Sequence, residues 1–202
     1  PQEQNFRIHK LIWPVIKREG PSGDVHVWAI PYGGTAGKVV VYRKDLFEEK
    51  GIPFPTNDWT WDDFIDKCKR LTDPAKGEYG LQLGRGPSEA WYWATFLWSA
   101  GGSAIVYNEV TDEWRAAFDS PEAAVALDFY ARLCTEPWID NSGVKRYGYV
   151  YKEADVWSKR DEGQIGMYFE YIFAQLFSHV NPEIVGLVPV PLGPSGIRGG
   201  EL

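Results

Sequence analysis

Residues 38–51 read KVVVYRKDLFEEKG and predict a strand directly before a helix. Residues 38–42 form a near-continuous apolar run, which is typical of a strand that is covered on both faces of a sheet. Asp45 and Glu48 have the D-x-x-E spacing of a helix-capping box, and Gly51 predicts the end of that helix. A covered strand followed at once by a helix indicates an α/β fold.

Strands and helices alternate on both sides of this unit. We predict strands at residues 25–30, 79–83, 105–107, 114–117, 164–169 and 184–190. We predict helices at residues 60–71 (capped by Thr60), 89–100, 120–134, 152–162 and 171–179. This order predicts a mixed, mostly parallel sheet flanked by helices. Residues 1–24 predict a loosely structured lead-in, and residues 189–200 are too rich in Pro and Gly for regular structure.

The uncharged run at residues 90–108 raises the question of a membrane-spanning helix. Gly101 and Gly102 interrupt this run, and the residue pattern changes after them. The sequence therefore favours a buried helix, a glycine stop and a strand.

The helix predicted at residues 120–134 has one face in the core. The residues of this helix that we expect inside are Val125, Leu127, Tyr130 and Leu133. Cys68 and Cys134 each fall in an apolar-periodic helix, so buried thiols are expected. A disulfide between them stays open, because sequence spacing does not show the Cα approach that it needs.

Charge and composition narrow the function classes. The net charge of −7 comes without a basic patch, which argues against nucleic-acid binding. The 202 residues include 10 Trp, 11 Tyr and 10 Phe, an excess of flat amphipathic rings that suits the apolar faces of sugars. A Trp-rich core is the alternative explanation. His9, His26 and His179 lie in no recognisable triad or metal setting, so we predict no catalytic, metal or cofactor site.

Four stretches in order resemble the family 1 extracellular solute-binding proteins, which include maltose-type and other sugar receptors. The stretches are WAIPYG (28–33) with VYRKDLF (41–47); WTWDDF (59–64); FLWSAGG (96–102) with AFDSPEA (117–123) and ALDFY (126–130); and GQIGM (163–167) with PVPLGP (189–194) and RGG (198–200). Arg43 stands where Asn is usual in the family.

The resemblance implies two α/β lobes of the type II periplasmic-binding-protein class that clamp a ligand between them. On that basis, residues 1–30 are a lead-in and a strand belonging partly to the first lobe. Residues 31–198 are the second lobe, and residues 199–202 return towards the hinge. The chain is expected to be the inserted central portion of a longer protein, with no signal segment visible in it.

The resemblance also implies a function, which is non-catalytic capture of a carbohydrate for the permease of an ABC importer. Such a protein is periplasmic or extracellular, and lipid anchoring is left open. A polyol or a glycerol-phosphate-like solute stays an alternative ligand. The absence of a clustered basic pocket argues mildly against an anionic ligand.

The first predicted binding segment follows the strand at residues 79–83. There Glu89 is expected to accept hydrogen bonds from ligand hydroxyls and Trp91 to stack on the ligand, since α/β sheets bind ligands beyond the carboxyl ends of strands. Arg85 is a candidate contact in the preceding turn. The alternative is that Glu89 only complements the helix dipole while Trp91 packs locally.

The second predicted segment follows the strand at residues 164–169. Glu170, Tyr171 and Phe173 are candidates there, although family members commonly have a glycine and a tryptophan at this point. Tyr171 at the glycine position narrows the cleft and leaves open which sugar fits. Tyr32 is a further candidate ring.

Glycines at the two expected crossings between lobes predict a hinge. The candidate hinge residues are Gly33, Gly34, Gly37, Gly199 and Gly200. The loop at residues 33–37 matches neither a phosphate loop nor a dinucleotide fingerprint, so nucleotide binding is disfavoured.

Two other function classes remain open. A glycoside hydrolase would use two carboxyl groups, and Glu89 with Glu170 are the candidates, although no catalytic motif accompanies them. A carbohydrate-binding module is usually a β-sandwich, which the alternation of strands and helices disfavours.

Overall fold

A computed structural model describes residues 8, 10, 12–31, 37–83, 89–151, 153, 155–171 and 181–199, with the backbone alone for residues 89–91. The chain divides into two compact units, Pro1–Thr35 and Ala36–Leu202. The predicted assignment of residues to two lobes of a longer protein stays a prediction.

The first unit contains more regular structure than the sequence predicts. A short helix, α1 (Trp13–Ile16), leads into β1 (Lys17–Glu19), which pairs antiparallel with β2 (Val25–Val27). The prediction of a loosely structured lead-in over residues 1–24 is therefore wrong for residues 13–19. Strand β2 also ends three residues before the predicted end at residue 30.

The second unit contains the remaining elements. Its helices are α2 (Lys44–Glu49), α3 (Trp61–Leu71), α4 (Glu89–Ser99), α5 (Pro121–Thr135) and α6 (Val156–Asp161). Its strands are β3 (Lys38–Arg43), β4 (Tyr79–Gln82), β5 (Ile105–Asn108), β6 (Glu113–Ala116), β7 (Pro137–Ile139), β8 (Lys145–Tyr147), β9 (Val150–Tyr151), β10 (Ile165–Tyr171) and β11 (Val185–Pro189).

Five strands form a central mixed sheet in the order β11-β3-β10-β4-β9. Strand β4 runs parallel to β10 and β9, whereas β3 runs antiparallel to β10 and β11. The predicted α/β class and mixed sheet are confirmed, but parallel pairings do not outnumber antiparallel ones. Val40 and Val41 on β3 are fully buried, as the apolar run predicts.

Helix α2 begins differently from the prediction. Arg43 is its N-cap residue and makes no side-chain cap bond, so the D-x-x-E interpretation is wrong. Asp45 instead accepts a hydrogen bond from Arg43 Nε at 2.8 Å. The hydrogen bond from the guanidinium stabilises the ionised carboxylate and holds the pKa of Asp45 below its usual value.

Helix α3 follows its sequence pattern closely. The Thr60 hydroxyl accepts from the Asp63 amide, and the Asp63 carboxylate accepts from the Thr60 amide at 2.9 Å, which completes a capping box. The apolar stripe of this helix is buried against the sheet and consists of Trp61, Phe64, Ile65, Cys68 and Leu71. Cys68 on this stripe is a fully buried thiol outside any disulfide, and burial raises its pKa.

Helix α5 starts as predicted and buries Leu133 as predicted, but Val125 and Leu127 do not face the core. The Ser120 hydroxyl accepts from the Ala123 amide at 3.1 Å, and Pro121 occupies the first turn. Val125 and Leu127 are 47% and 56% exposed, so their predicted burial is wrong. The inward face is formed by Ala123, Ala126, Phe129 and Leu133. This spacing of three and four residues lets the small alanines bring α5 close to its neighbour α4.

Many of the aromatic rings lie in the core. Trp61 stacks on Phe129 with ring centroids 4.4 Å apart, and its Nε1 donates to Ser99 Oγ at 3.1 Å. Phe96 and Phe169 extend this ring cluster towards the sheet. The core interpretation of the aromatic excess is therefore correct for these rings.

The remaining differences are local. Strands β7, β8 and β9 were not predicted, and α6 is shorter than the helix predicted at residues 152–162. Tyr171 ends β10, whereas the rest of the helix predicted at 171–179 lies outside the described residues. The run at residues 90–108 is a helix, a turn and a strand, as predicted. No helix in the described part of the chain has the length and apolarity to cross a membrane.

Candidate functional site

A cleft of about 280 Å³ opens at the carboxyl ends of the parallel strands β4 and β10. This edge of the sheet is where α/β folds generally bind ligands. The start of β3 lies at the same edge, because Lys38 pairs with Tyr171 across the antiparallel ladder. The cleft is lined by Lys38, Gln82, Tyr92, Trp157, Arg160, Phe169, Glu170 and Tyr171.

Lys38 is a buried cation at one side of the cleft. It is 5% exposed, and its Nζ donates to Thr95 Oγ1 on α4 at 3.0 Å. The ammonium lies 5.4 Å from the ring centroid of Tyr171 and 6.0 Å from that of Tyr92. Cation–π attraction at these distances holds both rings around a fixed charge.

Arg160, on α6, contacts residues of both α6 and β10 beside the cleft. Its guanidinium carbon lies 4.5 Å from the Trp157 ring centroid and 4.9 Å from that of Tyr168. Its Nη1 lies 3.9 Å from Glu170 Oε2. Arg160 therefore links helix α6 to strand β10 and keeps the largely exposed Trp157 ring beside the cleft.

Tyr92, which lines the cleft, and Tyr168, whose ring contacts Arg160, stay in the neutral phenol form at physiological pH. Burial raises the pKa of Tyr92, and the nearby Glu170 carboxylate raises it further. Burial also raises the pKa of Tyr168. Neutral phenols keep their O–H donors and apolar ring faces, which suits an uncharged polar ligand.

Gln82, at the end of β4, places a polar group in the cleft wall. Its side chain is 3% exposed, and Oε1 has no hydrogen-bond partner among the described residues. The cleft thus combines four aromatic rings, an amide, two cations and one carboxylate. Rings with a few placed polar groups are the usual composition of small-molecule sites.

A match to the family described as "Bacterial extracellular solute-binding protein" covers residues 10–200. The chain belongs to the bacterial extracellular solute-binding protein family. The suspected family and the periplasmic-binding-protein-like fold class are confirmed. The family is one of binding proteins, which supports a non-enzymatic role at the family level.

Relatives and solved structures agree with this membership. The Escherichia coli (strain K12) protein YcjN, named as an ABC transporter periplasmic-binding protein, is 24% identical over 147 residues, which cover 73% of this chain and 31% of YcjN. The maltose-bound T. maritima MalE3 structure has a TM-score of 0.65 at 23% identity and covers 98% of this chain and 47% of its own. A solute-binding protein from Agrobacterium radiobacter K84 in complex with ribitol has a TM-score of 0.61 at 25% identity. The match covers 92% of this chain and 45% of the Agrobacterium chain. The chain therefore spans less than half the length of these solute-binding proteins.

Of the binding residues predicted for this solute-binding chain, Glu170 and Tyr171 line the cleft. Glu89 and Trp91 lie in the first turn of α4, and their side chains are not described. Tyr32, Arg85 and Phe173 lie outside the described residues. The role of each in ligand binding stays a prediction.

The candidate hinge residues have different surroundings. Gly37, directly before β3, has φ of 97°, a left-handed conformation that favours glycine. Gly199 instead lies against α4, where an added Cβ would be 1.8 Å from the Thr95 carbonyl oxygen. Gly33, Gly34 and Gly200 lie outside the described residues, and the hinge role of all five stays a prediction.

Six of the eight lining residues were not predicted from the sequence. Gln82 carried a usable signal, since it is a polar residue at the end of an otherwise apolar strand, shortly before the glycine- and proline-containing sequence at residues 84–87. Lys38 opens the apolar run of β3, and Phe169 ends the predicted strand at residues 164–169. Tyr92, Trp157 and Arg160 lie on helices whose sequences do not separate a cleft-facing residue from an ordinary surface residue.

Proposed function

We propose that this chain forms one wall of the ligand cleft of an extracellular solute-binding receptor for a carbohydrate or polyol, serving an ABC importer. The observation that carries the proposal is the cleft at the carboxyl ends of β4 and β10, where rings surround a small number of polar groups. Sugars and polyols carry C–H faces that pack on rings and hydroxyls that both donate and accept.

The exposed ring of Trp157 is the proposed stacking surface. It is 57% exposed although it lines the cleft, and Arg160 fixes its position through the cation–π contact. A large ring left exposed in a cleft can bury apolar area on a ligand. The maltose in MalE3 and the ribitol in the Agrobacterium protein support this ligand class.

The predicted residues around the cleft belong to the same proposal. Glu89 lies one turn before Tyr92 on α4, a helical spacing at which residues share a face. We assign Glu89 to hydroxyl binding and Trp91 to stacking. Glu170 and Tyr171, at the end of β10, are assigned as further ligand contacts. Tyr32, Arg85 and Phe173 are proposed as further contacts.

The wider role is that of a complete receptor. Residues 31–198 are assigned to its second lobe, with Gly37 and Gly199 near the two crossings to the first. The receptor acts outside the cytoplasmic membrane and delivers its ligand to the permease subunits. It works without a cofactor and without chemical change of the ligand.

A thermal-shift screen of the full-length receptor with maltose, glucose, ribitol and mannitol, and with amino acids and short peptides for comparison, tests the proposal. A ligand at 100 times its Kd raises the free energy of unfolding by about 2.7 kcal/mol, so the melting temperature rises with ligand concentration. Trp157→Ala is expected to weaken binding about tenfold, while Trp114→Ala, at an exposed tryptophan on β6, leaves it unchanged. Equal affinity of wild type and Trp157→Ala would remove Trp157 from the site. A response to amino acids or peptides alone would redirect the ligand class.

Hydrolysis is the competing activity that the assay must separate. A glycosidase needs two carboxyl groups about 5–9.5 Å apart across the bond that it cleaves. Among the eight described lining residues Glu170 is the single acid, and it lies beside Arg160. We expect no turnover of oligosaccharides by the wild-type protein. Turnover that is lost in Glu89→Gln would overturn the binding proposal.

A further inference from the structure

The side-chain carbonyl oxygen of Gln82, for which the described residues supply no partner, needs a physical explanation. Gln82 is 3% exposed, and its Oε1 accepts no hydrogen bond from the described residues. A buried polar atom without a partner costs free energy, because it gives up its bonds to water without replacement. Native structures keep few such atoms, so one on a residue that lines a cleft suggests a partner from outside the protein.

The location of Gln82 fits a ligand contact. It is the last residue of β4, its register partner on β10 is Tyr168, and its side chain lines the cleft. Strands β10 and β9 lie on either side of β4 and fix its backbone at this point. The backbone that carries this buried amide is therefore ordered before any ligand arrives, which lowers the entropy cost of binding.

We infer that Gln82 Oε1 is the acceptor for a ligand hydroxyl at the floor of the cleft and that it discriminates against ligands without a donor there. The inference rests on the proposed function and adds a specificity-determining residue to it. A carbonyl oxygen accepts hydrogen bonds and cannot donate them, so it selects a hydroxyl or amine over an ether or carboxylate oxygen. An uncharged polyhydroxylated solute supplies the required donor.

A near-isosteric substitution separates this role from a structural one. Gln82→Met removes the polar amide and keeps the length of the side chain. If Gln82 serves the ligand, the unliganded variant melts at the same temperature as wild type or higher, since an unsatisfied polar group has been removed. Its affinity for the sugar or polyol that wild type binds best in the maltose, glucose, ribitol and mannitol panel falls about tenfold.

Gln164 provides the matched control. Its Oε1 is also buried and unpaired among the described residues, but it precedes β10, at the end of the strand remote from Glu170 and Tyr171. Gln164→Met is expected to leave ligand affinity unchanged.

Each outcome of the experiment decides one claim. Wild-type binding with equal affinity in Gln82→Met overturns the role of Gln82 and leaves the proposed function intact. A variant that melts lower than wild type or fails to fold identifies Gln82 as structural, which also overturns the inference. No binding by wild type to any member of the panel removes the proposed function, and the inference with it.

Discussion

At the scale of single residues, glycines 193 and 199 are needed for close packing. An added Cβ at Gly193 would be 2.0 Å from the Ser99 carbonyl oxygen, and one at Gly199 would be 1.8 Å from that of Thr95. Real side chains do not approach backbone atoms this closely, so the segment or α4 would have to move. Gly193 and Gly199 therefore allow this segment to pack directly on α4, the helix on which the cleft residue Tyr92 lies.

Gly199→Ala is expected to lower the free energy of unfolding by about 3 kcal/mol, because the new methyl group overlaps a helix backbone that cannot yield. Gly196→Ala is the control. It has open space around it and a φ of 76°, so only the left-handed conformation is penalised, at about 1 kcal/mol. Urea unfolding of both variants measures the difference. If Gly199→Ala were the milder change, the packing at this contact would be looser than described.

Single residues also show where sequence reasoning succeeds. Thr60 was predicted as a cap and makes the full capping box, since its partner Asp63 lies only three residues away. Gly199 was predicted as a hinge, whereas its surroundings depend on Thr95, more than a hundred residues earlier. Local hydrogen bonds follow from neighbouring letters, but packing against a distant element does not.

At the scale of elements, the long periodic helices and the apolar strands were predicted with small errors at their ends. Helix α5 shows the limit of periodicity. Val125 and Leu127 are apolar yet exposed, because the helix turns its alanine face towards α4. The prediction was therefore correct for Leu133 and wrong for Val125 and Leu127. The short strands β7 and β8 escaped prediction since three residues hold too little pattern.

The β7–β8 hairpin depends on one turn residue, Asp140. Its Oδ1 accepts from the amides of Ser142 and Val144, each at 2.9 Å, and its Oδ2 accepts from Arg146 Nε at 2.8 Å. The Ser142 hydroxyl and the Arg146 guanidinium hold the pKa of Asp140 well below its usual range. The ionised carboxylate therefore organises both the turn and the following strand.

This depressed pKa predicts a pH-dependent contribution to stability. A carboxyl whose pKa is lower in the folded state stabilises the protein above its unfolded pKa of about 3.9, and the contribution is lost as the pH falls below that value. Wild type is expected to melt higher than Asp140→Asn at pH 6, and the gap narrows towards pH 2. Asp119→Asn, at an exposed surface ion pair, should follow wild type throughout. A gap independent of pH would show that the charge of Asp140 is not what holds the turn.

At the scale of the whole chain, the candidate site illustrates what sequence order conceals. Lys38, Gln82, Tyr92, Arg160 and Tyr171 span most of the second unit and meet only because β3, β10 and β4 are neighbours in the sheet. Sequence reasoning predicted that ligands bind beyond the strand ends, and it found Glu170 and Tyr171 in this way. It did not predict that the antiparallel β3 brings its first residue to the same edge.

The two compact units differ in the support that their strands receive, and this difference predicts how the chain opens. Strands β3 and β10 each pair on both sides, and Val40 and Val41 are fully buried. Strands β1 and β2 form an isolated ribbon in which every residue is exposed, and two-stranded ribbons of this kind are marginally stable.

Hydrogen exchange measured by mass spectrometry should therefore separate two classes of amide. Amides in peptides from β3 and β10 are expected to exchange only through global unfolding. Denaturant should accelerate their exchange with the m-value of the full unfolding transition. Peptides covering residues 13–28 are expected to exchange far faster and with little dependence on denaturant, since fraying exposes little surface. Equal protection in both regions would mean that the ribbon unfolds together with the central sheet as one cooperative unit.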